Sequence, residues 1–197
     1  MIQYDDDLWP HTHPLDLWIY DKLILSSRLG YKCGPVGVPV PQSGLYIVRP
    51  ITNVLGMGIG AEEVYITNQT DHLRPGYFWC EKFTGRHLSI DYIDKKIVNC
   101  VEGLRDHGVP LWKWRSWKKV SISIPFPRVL SSLQNTTEVN CEYIDGKLIE
   151  VHQRLNYDMG GYNEVIPMWD GEPFDLSSQG YTYYTNPDQR RLGFWKK

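Results

Sequence analysis

Residues 139–156 read VNCEYIDGKLIEVHQRLN, two runs of strand-forming residues around one Asp-Gly pair. The spacing predicts a β-hairpin, with strands over 139–144 and 147–151. Asp145-Gly146 supplies the two positive-φ positions that a type I′ turn requires. Each strand carries one carboxylate, Glu142 and Glu150. Residues two apart on a strand share a face, so Glu150, His152 and Arg154 can point into one space, and Glu142 on the neighbouring strand can join them. Two carboxylates, an imidazole and a guanidinium on one surface can hold a divalent cation beside phosphate oxygens. The solvated face of an ordinary hairpin shows the same alternation, so the hairpin alone leaves both readings open.

The chain has 197 residues, enough for one well-buried domain or a compact one with two lobes. Its net charge of −2 gives no general attraction to nucleic acid or an anionic membrane. Eight Trp and thirteen Tyr predict an aromatic-rich interior that partly lines a cleft. Cys33, Cys80, Cys100 and Cys141 contain no C-x-x-C pair, which argues against a zinc knuckle or redox motif and fits a reducing compartment. The opening MIQYDDDLW is acidic where a signal peptide would be basic and then apolar, and no apolar run approaches membrane-spanning length. A cytoplasmic chain is expected, and the N-x-T sequons at Asn68 and Asn135 are then accidental.

Working outward, residues 1–13 predict an extended lead-in. Asp5, Asp6 and Asp7 with His11 and His13 either offer metal ligands or belong to a frayed terminus. Residues 14–29 predict a helix with Leu17, Tyr20 and Ile24 on one face and Gly30 as its stop. Residues 33–44 are a turn-rich connector, and 45–48 form a strand delivering Arg49-Pro50. Gly56, Gly58 and Gly60 precede a further strand over 64–67. With neither GK[ST] nor a helix after them, these glycines suit a flap whose backbone N–H groups approach an anion, or a plain hairpin loop. Strands are expected over 77–83 and 86–93, with Glu81, Lys82 and Phe83 placed to meet a purine or to serve as ordinary edge charges. A strand over 97–101 follows. LWKWRSWKK, residues 111–119, interleaves Trp with Lys and Arg, as single-stranded nucleic-acid binders do. The preferred reading is a strand with Trp packed inward and basic side chains towards an anionic ligand, continuing through 121–124. A short helix is expected at 127–133. Residues 157–197 show little periodicity and read as a wrapping tail.

Taken in order, these segments resemble the ATP-grasp superfamily. Asp21-Lys22 resembles the family's DK, whose lysine contacts ATP phosphate. YIVRP resembles its lid strand, with Arg49 in the place of the phosphate-binding lysine, keeping the charge and adding a planar fork. GMGIG resembles the flexible glycine loop, and EKFTGRHLSIDYI the hinge, where Glu81, Lys82 and Phe83 would contact adenine and His87 the sugar or phosphates. The hairpin resembles the magnesium-binding end. There Glu142 and Glu150 would be the metal-binding acids, His152 stands where asparagine is usual, and Arg154 would steady the transferring group. An imidazole suits transition metals better than Mg²⁺, so the metal site is weakened or changed there.

The resemblance covers roughly residues 15–156. It implies an α+β fold of two small lobes with a nucleotide cleft between them. About 14–43 and 94–160 would form a core lobe, about 44–93 a lid lobe and hinge, and 161–197 the tail. It further implies ATP and Mg²⁺ or Mn²⁺ as cofactors, and a ligase joining a carboxylate to an amine or thiol through an acylphosphate. Lys22, Arg49, Gly56, Gly58 and Gly60 would cradle phosphates, with Arg49 and Arg154 acting in the chemistry. By the same resemblance, an N-terminal domain that commonly supplies part of the acceptor site is expected to be missing here, so a protein partner or a second copy of the chain is an expected alternative source. A non-catalytic nucleotide-binding or interaction protein on the same fold is the second reading, favoured by the Arg49 and His152 departures. Nucleic-acid binding through 112–119 is the third.

Overall fold

A computed structural model describes residues 5–52, 57–134 and 136–197. The chain opens with one helical turn, α1 (Asp5–Leu8), and 3-10 turns over Trp9–His11 and Pro14–Tyr20. The helix α2 (Lys22–Arg28) follows. Strands β1 (Cys33–Pro35), β2 (Gly44–Pro50), β3 (Glu62–Ile66) and β4 (Tyr77–Glu81) come next. They form a four-stranded antiparallel sheet in the order β1-β4-β2-β3.

Strands β5 (His87–Ile93), β6 (Lys96–Leu104) and β7 (Ser116–Lys119) begin a larger sheet. It continues with β8 (Glu138–Ile144), β9 (Lys147–His152), β10 (Glu164–Trp169), β11 (Thr182–Asp188) and β12 (Arg191–Lys196). These eight are antiparallel in the order β11-β12-β10-β7-β6-β5-β8-β9. The fold is α+β. No helix among the described residues is long and apolar enough to cross a membrane.

The hairpin forms as the sequence predicts, with Asp145 at φ 51° and Gly146 at φ 75° in its turn. Alternation along the large sheet then builds two unlike faces. Leu88, Ile90 and Tyr92 of β5 pack with Val139, Cys141 and Tyr143 of β8 against Ile19, Tyr20 and Leu25. The opposite face at the same strands carries His87, Ser89, Asp91, Asn140 and Glu142. Ser89, Asp91 and Asn140 are fully buried all the same. A buried polar face marks where the sheet is covered by a site rather than by core.

The expected helix over 14–29 is broken into two pieces. Asp21 adopts extended backbone, and its Oδ1 accepts from the Ile24 N–H at 2.8 Å, so the true helix starts at Lys22. Leu17 and Ile24 accordingly face solvent, while Ile19, Tyr20 and Leu25 are buried. The lead-in is helical at Asp5–Leu8 rather than extended. Residues 121–124 do not extend β7, which ends at Lys119. The stretch read as aperiodic tail supplies β10 (EVIPMW), β11 (TYYTNPD) and β12 (RLGFWK), short strands whose signal the intervening Gly-, Asp- and Ser-rich turns dilute.

Candidate functional site

One cleft of about 1540 Å³ is lined from both sheets. Lys22, Arg49, Gly58, Gly60, Glu81, Lys82, Phe83 and His87 all reach it, and so do Glu142, Glu150, His152 and Arg154. Gly56 lies outside the described residues. The sequence motifs, spread over more than a hundred residues of chain, thus meet in one space.

The hairpin end of the cleft is a compact charge cluster. Lys22 Nζ, at the capped start of α2, lies 3.1 Å from Glu150 Oε1, and both side chains are buried. Glu150 Oε1 is 3.5 Å from His152 Nε2, and His152 Nδ1 is 2.9 Å from the Asp5 carboxylate. Arg154 Nε is 3.8 Å from Asp5 Oδ1. Burial pushes the Glu150 carboxyl up, but Lys22, His152 and Arg49 outweigh it and hold the group well below the usual carboxylate range. Burial pushes the His152 imidazole down, and the Asp5 and Glu150 carboxylates reverse that, leaving it above its ordinary value. Asp5, Glu150 and His152 each offer a ligand atom, all within 4.8 Å of one another.

A β-bulge shapes this end. Glu142 pairs with Glu150 and Tyr143 with Leu148, so Ile149 is the extra residue on β9. The bulge keeps Leu148 and Val151 in the core while Glu150 and His152 face the cleft. The Ile149 carbonyl accepts from Arg49 Nη2 at 3.0 Å, which ties β2 of the small sheet to β9 of the large one. Arg49 Nε is buried with no hydrogen-bond acceptor, and Arg154 Nε shares that condition. Buried guanidinium N–H groups without acceptors are costly unless an anion supplies the missing oxygens.

Glu142 departs from the expected grouping, since its Oε2 lies 3.1 Å from His87 Nε2. The His87 ring packs on Trp114 at 4.5 Å and on Trp117 at 5.5 Å. These indoles fit because β6 carries Gly103 beneath them, where a Cβ would sit 2.8 Å from both rings. Deeper on the same face, Asn140 Nδ2 donates to Ser89 Oγ and Asp91 Oδ1 at 2.8 Å, and the Asn156 N–H also donates to Asp91 Oδ1. Burial pushes the Asp91 carboxyl up, against these donors.

Beside β4, Glu81 Oε1 accepts from the Lys32 N–H at 2.9 Å, and Lys82 pairs with Glu63 at 2.8 Å. Phe83 meets Tyr31 edge-on, with Lys147 Nζ 4.3 Å from its ring centroid. In the glycine loop, Gly58 and Gly60 take φ of 69° and 88°. Arg191 Nη1 of β12 reaches Met57 Sδ at 3.6 Å, so the loop touches the far wall of the cleft.

The reading of 111–119 needs correction. Trp112, Trp114 and Trp117 line the cleft, whereas Lys113, Arg115 and Lys118 do not, pairing instead with Glu172, Asp106 and Glu164. The indoles take the wall because Trp117 packs with Val101, Val165 and Phe194, which strand alternation puts on the cleft side. Of the two readings left open for Asp5, metal ligand or frayed terminus, the structure favours the first, since Asp5 joins Glu150 and His152 from a helical turn. Sequence reasoning missed Asp188 and Arg191. Arg191 is buried between Asp188 and Asp158, at 3.6 and 3.5 Å, and its only sequence signal was the alternation in RLGFW.

No protein-family model and no curated protein sequence matches this chain. Solved structures do. One is an ATP-grasp superfamily protein from Archaeoglobus fulgidus, with 14% identity over 91% of this chain and 64% of that one, at a TM-score of 0.56. Another is an L-amino acid ligase from Bacillus licheniformis, with 11% identity over 93% of this chain and 67% of that one, at 0.55. This chain therefore spans about two thirds of the length of these proteins. With a small antiparallel sheet and a large one lining one cleft, and this likeness over nine tenths of its length, the chain has an ATP-grasp fold.

Proposed function

We propose that the cleft binds ATP with a divalent cation, and that the chain is an ATP-dependent ligase joining a carboxylate to an amine or thiol. The observation that carries this is the pair of buried guanidinium Nε–H groups, Arg49 and Arg154, which line the cleft and lack acceptors. Phosphate oxygens supply what they lack, in the bidentate geometry that a guanidinium favours.

Phosphoryl transfer asks a protein for positioning and charge neutralisation. Lys22, Arg49 and Arg154 bring positive charge to the phosphates from α2, β2 and the end of β9. Glu81, Lys82 and Phe83 receive the adenine, His87 the sugar or phosphates, and Gly56, Gly58 and Gly60 cover the phosphate chain. A carboxylate oxygen of the first substrate attacks the γ-phosphorus, and ADP leaves. The acylphosphate is then attacked at its carbonyl carbon by the amine or thiol, and phosphate departs. Closure of the glycine loop, with Met57 on Arg191, excludes water that would hydrolyse the acylphosphate. Glu150 and His152, with Asp5 beside them where the sequence reading had Glu142, would hold Mg²⁺ or Mn²⁺, which neutralises phosphate charge. The oxygen and imidazole donors that Asp5, Glu150 and His152 bring within 4.8 Å fit such an ion, and the imidazole suits a transition metal better than Mg²⁺.

A second reading, nucleotide binding without turnover, is favoured by the closed Lys22–Glu150 and Asp5–His152 pairs. Calorimetry of ATP binding with and without Mg²⁺ or Mn²⁺, on the natural chain and on Glu150→Gln, tests the site. Metal-dependent binding that the variant loses is expected. Absence of binding with either metal overturns the proposal, and metal-dependent binding with no ADP release across a panel of carboxylates and amines leaves the second reading.

A further inference from the structure

Cys33 of β1 and Cys80 of β4 are directly opposed across an antiparallel pair. The next pair along, Lys32 and Glu81, is joined by a backbone hydrogen bond from Glu81 N–H to Lys32 carbonyl at 2.9 Å. Hydrogen-bonded and non-hydrogen-bonded pairs alternate, so Cys33 and Cys80 form a pair of the second kind, in which facing side chains come closest. Its usual Cα separation of about 4.5 Å lies within the range a disulfide spans. Cys33 is half-buried, open enough for a small oxidant, and Cys80 sits behind it in the cleft wall.

The other two cysteines provide an internal contrast. Cys100 of β6 and Cys141 of β8 both pair with Ile90, from opposite sides of β5. They are two strand spacings apart, roughly 9–10 Å, beyond the reach of a disulfide.

We infer that Cys33 and Cys80 are a reversible oxidation site, closing to a cross-strand disulfide with hydrogen peroxide as the oxidant class. One thiolate attacks a peroxide oxygen, the O–O bond breaks, and a sulfenic acid forms with release of water. The second thiol displaces the sulfenic oxygen as another water while the S–S bond forms. Two thiols and one peroxide thus yield one disulfide and two waters. Burial pushes both thiols up, and the Arg49 guanidinium beside Cys80 works in the opposite direction for each. The bond would staple β1, which follows α2 and Lys22, to β4, which delivers Glu81, Lys82 and Phe83. It concerns the frame of the cleft and does not depend on which ligand the cleft takes.

The test is graded peroxide on the folded chain, alkylation of remaining thiols, intact mass, and digestion without reductant. The expected result is loss of two alkylable thiols, a chain lighter by about 2 Da, and peptides joined through residues 33 and 80, all reversed by dithiothreitol. Cys33→Ala, at the half-exposed position, keeps its remaining three thiols at the same dose, while Cys100→Ala behaves as the natural chain does. Retention of all four thiols, peptides joined through another pair, or thiol loss unchanged in Cys33→Ala overturns the inference.

Discussion

Lys22 and Glu150 stand 128 positions apart in the chain, and their charged atoms are 3.1 Å apart with both side chains buried. The pair joins the capped end of α2 to the edge strand of the large sheet. Removing one partner leaves the other charged in a dry site, which costs more than the pair itself contributes. Glu150→Gln is therefore expected to lower unfolding free energy by about 3–5 kcal/mol. Lys22→Met combined with Glu150→Leu should recover most of that loss. Denaturant titration of the three chains gives the answer, and a double variant no more stable than Glu150→Gln would overturn the coupling.

Acid and base should each weaken the fold through this cluster. Glu150 is held below its ordinary value of 4.5, so its contribution is present above pH 4.5 and is lost as pH falls through the depressed folded value. His152 is raised above its ordinary 6.5, so its contribution is full below pH 6.5 and is lost as pH rises through the elevated folded value. Unfolding free energy is expected to be greatest between these limits. The acid limb should flatten in Glu150→Gln, and an unchanged acid limb there would assign it to other carboxylates.

Arg49 links the two sheets through the Ile149 carbonyl and keeps a buried Nε–H without an acceptor. Arg49→Met should weaken ATP binding by roughly 10- to 100-fold, the loss of one or two charge-assisted hydrogen bonds. Arg49→Lys, which restores charge without the planar fork, should recover only part of it. Calorimetric Kd values for the three chains decide this, and equal affinity in all three would remove Arg49 from the phosphate site.

Two glycines of the flap should differ in their tolerance. A Cβ at Gly58 meets open space, so Gly58→Ala carries only the cost of a left-handed backbone, about 1–2 kcal/mol. At Gly60 a Cβ would also lie 2.6 Å from Tyr77 Oη and 3.2 Å from Pro50 Cγ. Gly60→Ala is expected to be the more destabilising of the two by thermal unfolding. Equal Tm values would mean that the Tyr77 side chain swings clear without loss.

Gly103 has no unusual φ to preserve, but its missing Cβ makes room for the indoles that wall His87. Gly103→Ala should cost about 1–3 kcal/mol as an overpacked site. It should also alter the near-UV circular dichroism from Trp114 and Trp117, and an unchanged spectrum would show that the rings do not bear on β6.

The sequence by itself determined the local pieces of this protein. Asp145-Gly146 defines the hairpin, alternation puts Glu150 and His152 on one face, and YIVRP delivers Arg49 at the end of a strand. Each of these depends on interactions between residues close in sequence, where periodicity and turn chemistry act directly. The order of these pieces was also enough to indicate the ATP-grasp fold. Tertiary structure alone decided the rest. Asp5 reads either as a metal ligand or as part of a frayed terminus until α1 lays it against His152, and Arg191 sits in a stretch with no aliphatic pattern until β12 carries it to Met57. The Ile149 bulge, Glu142 turning to His87, and the outward Lys113 and Lys118 all follow from what lies across the sheet. A side chain's partner there is set by register and packing between distant strands, and neither is written in the spacing of its own neighbours.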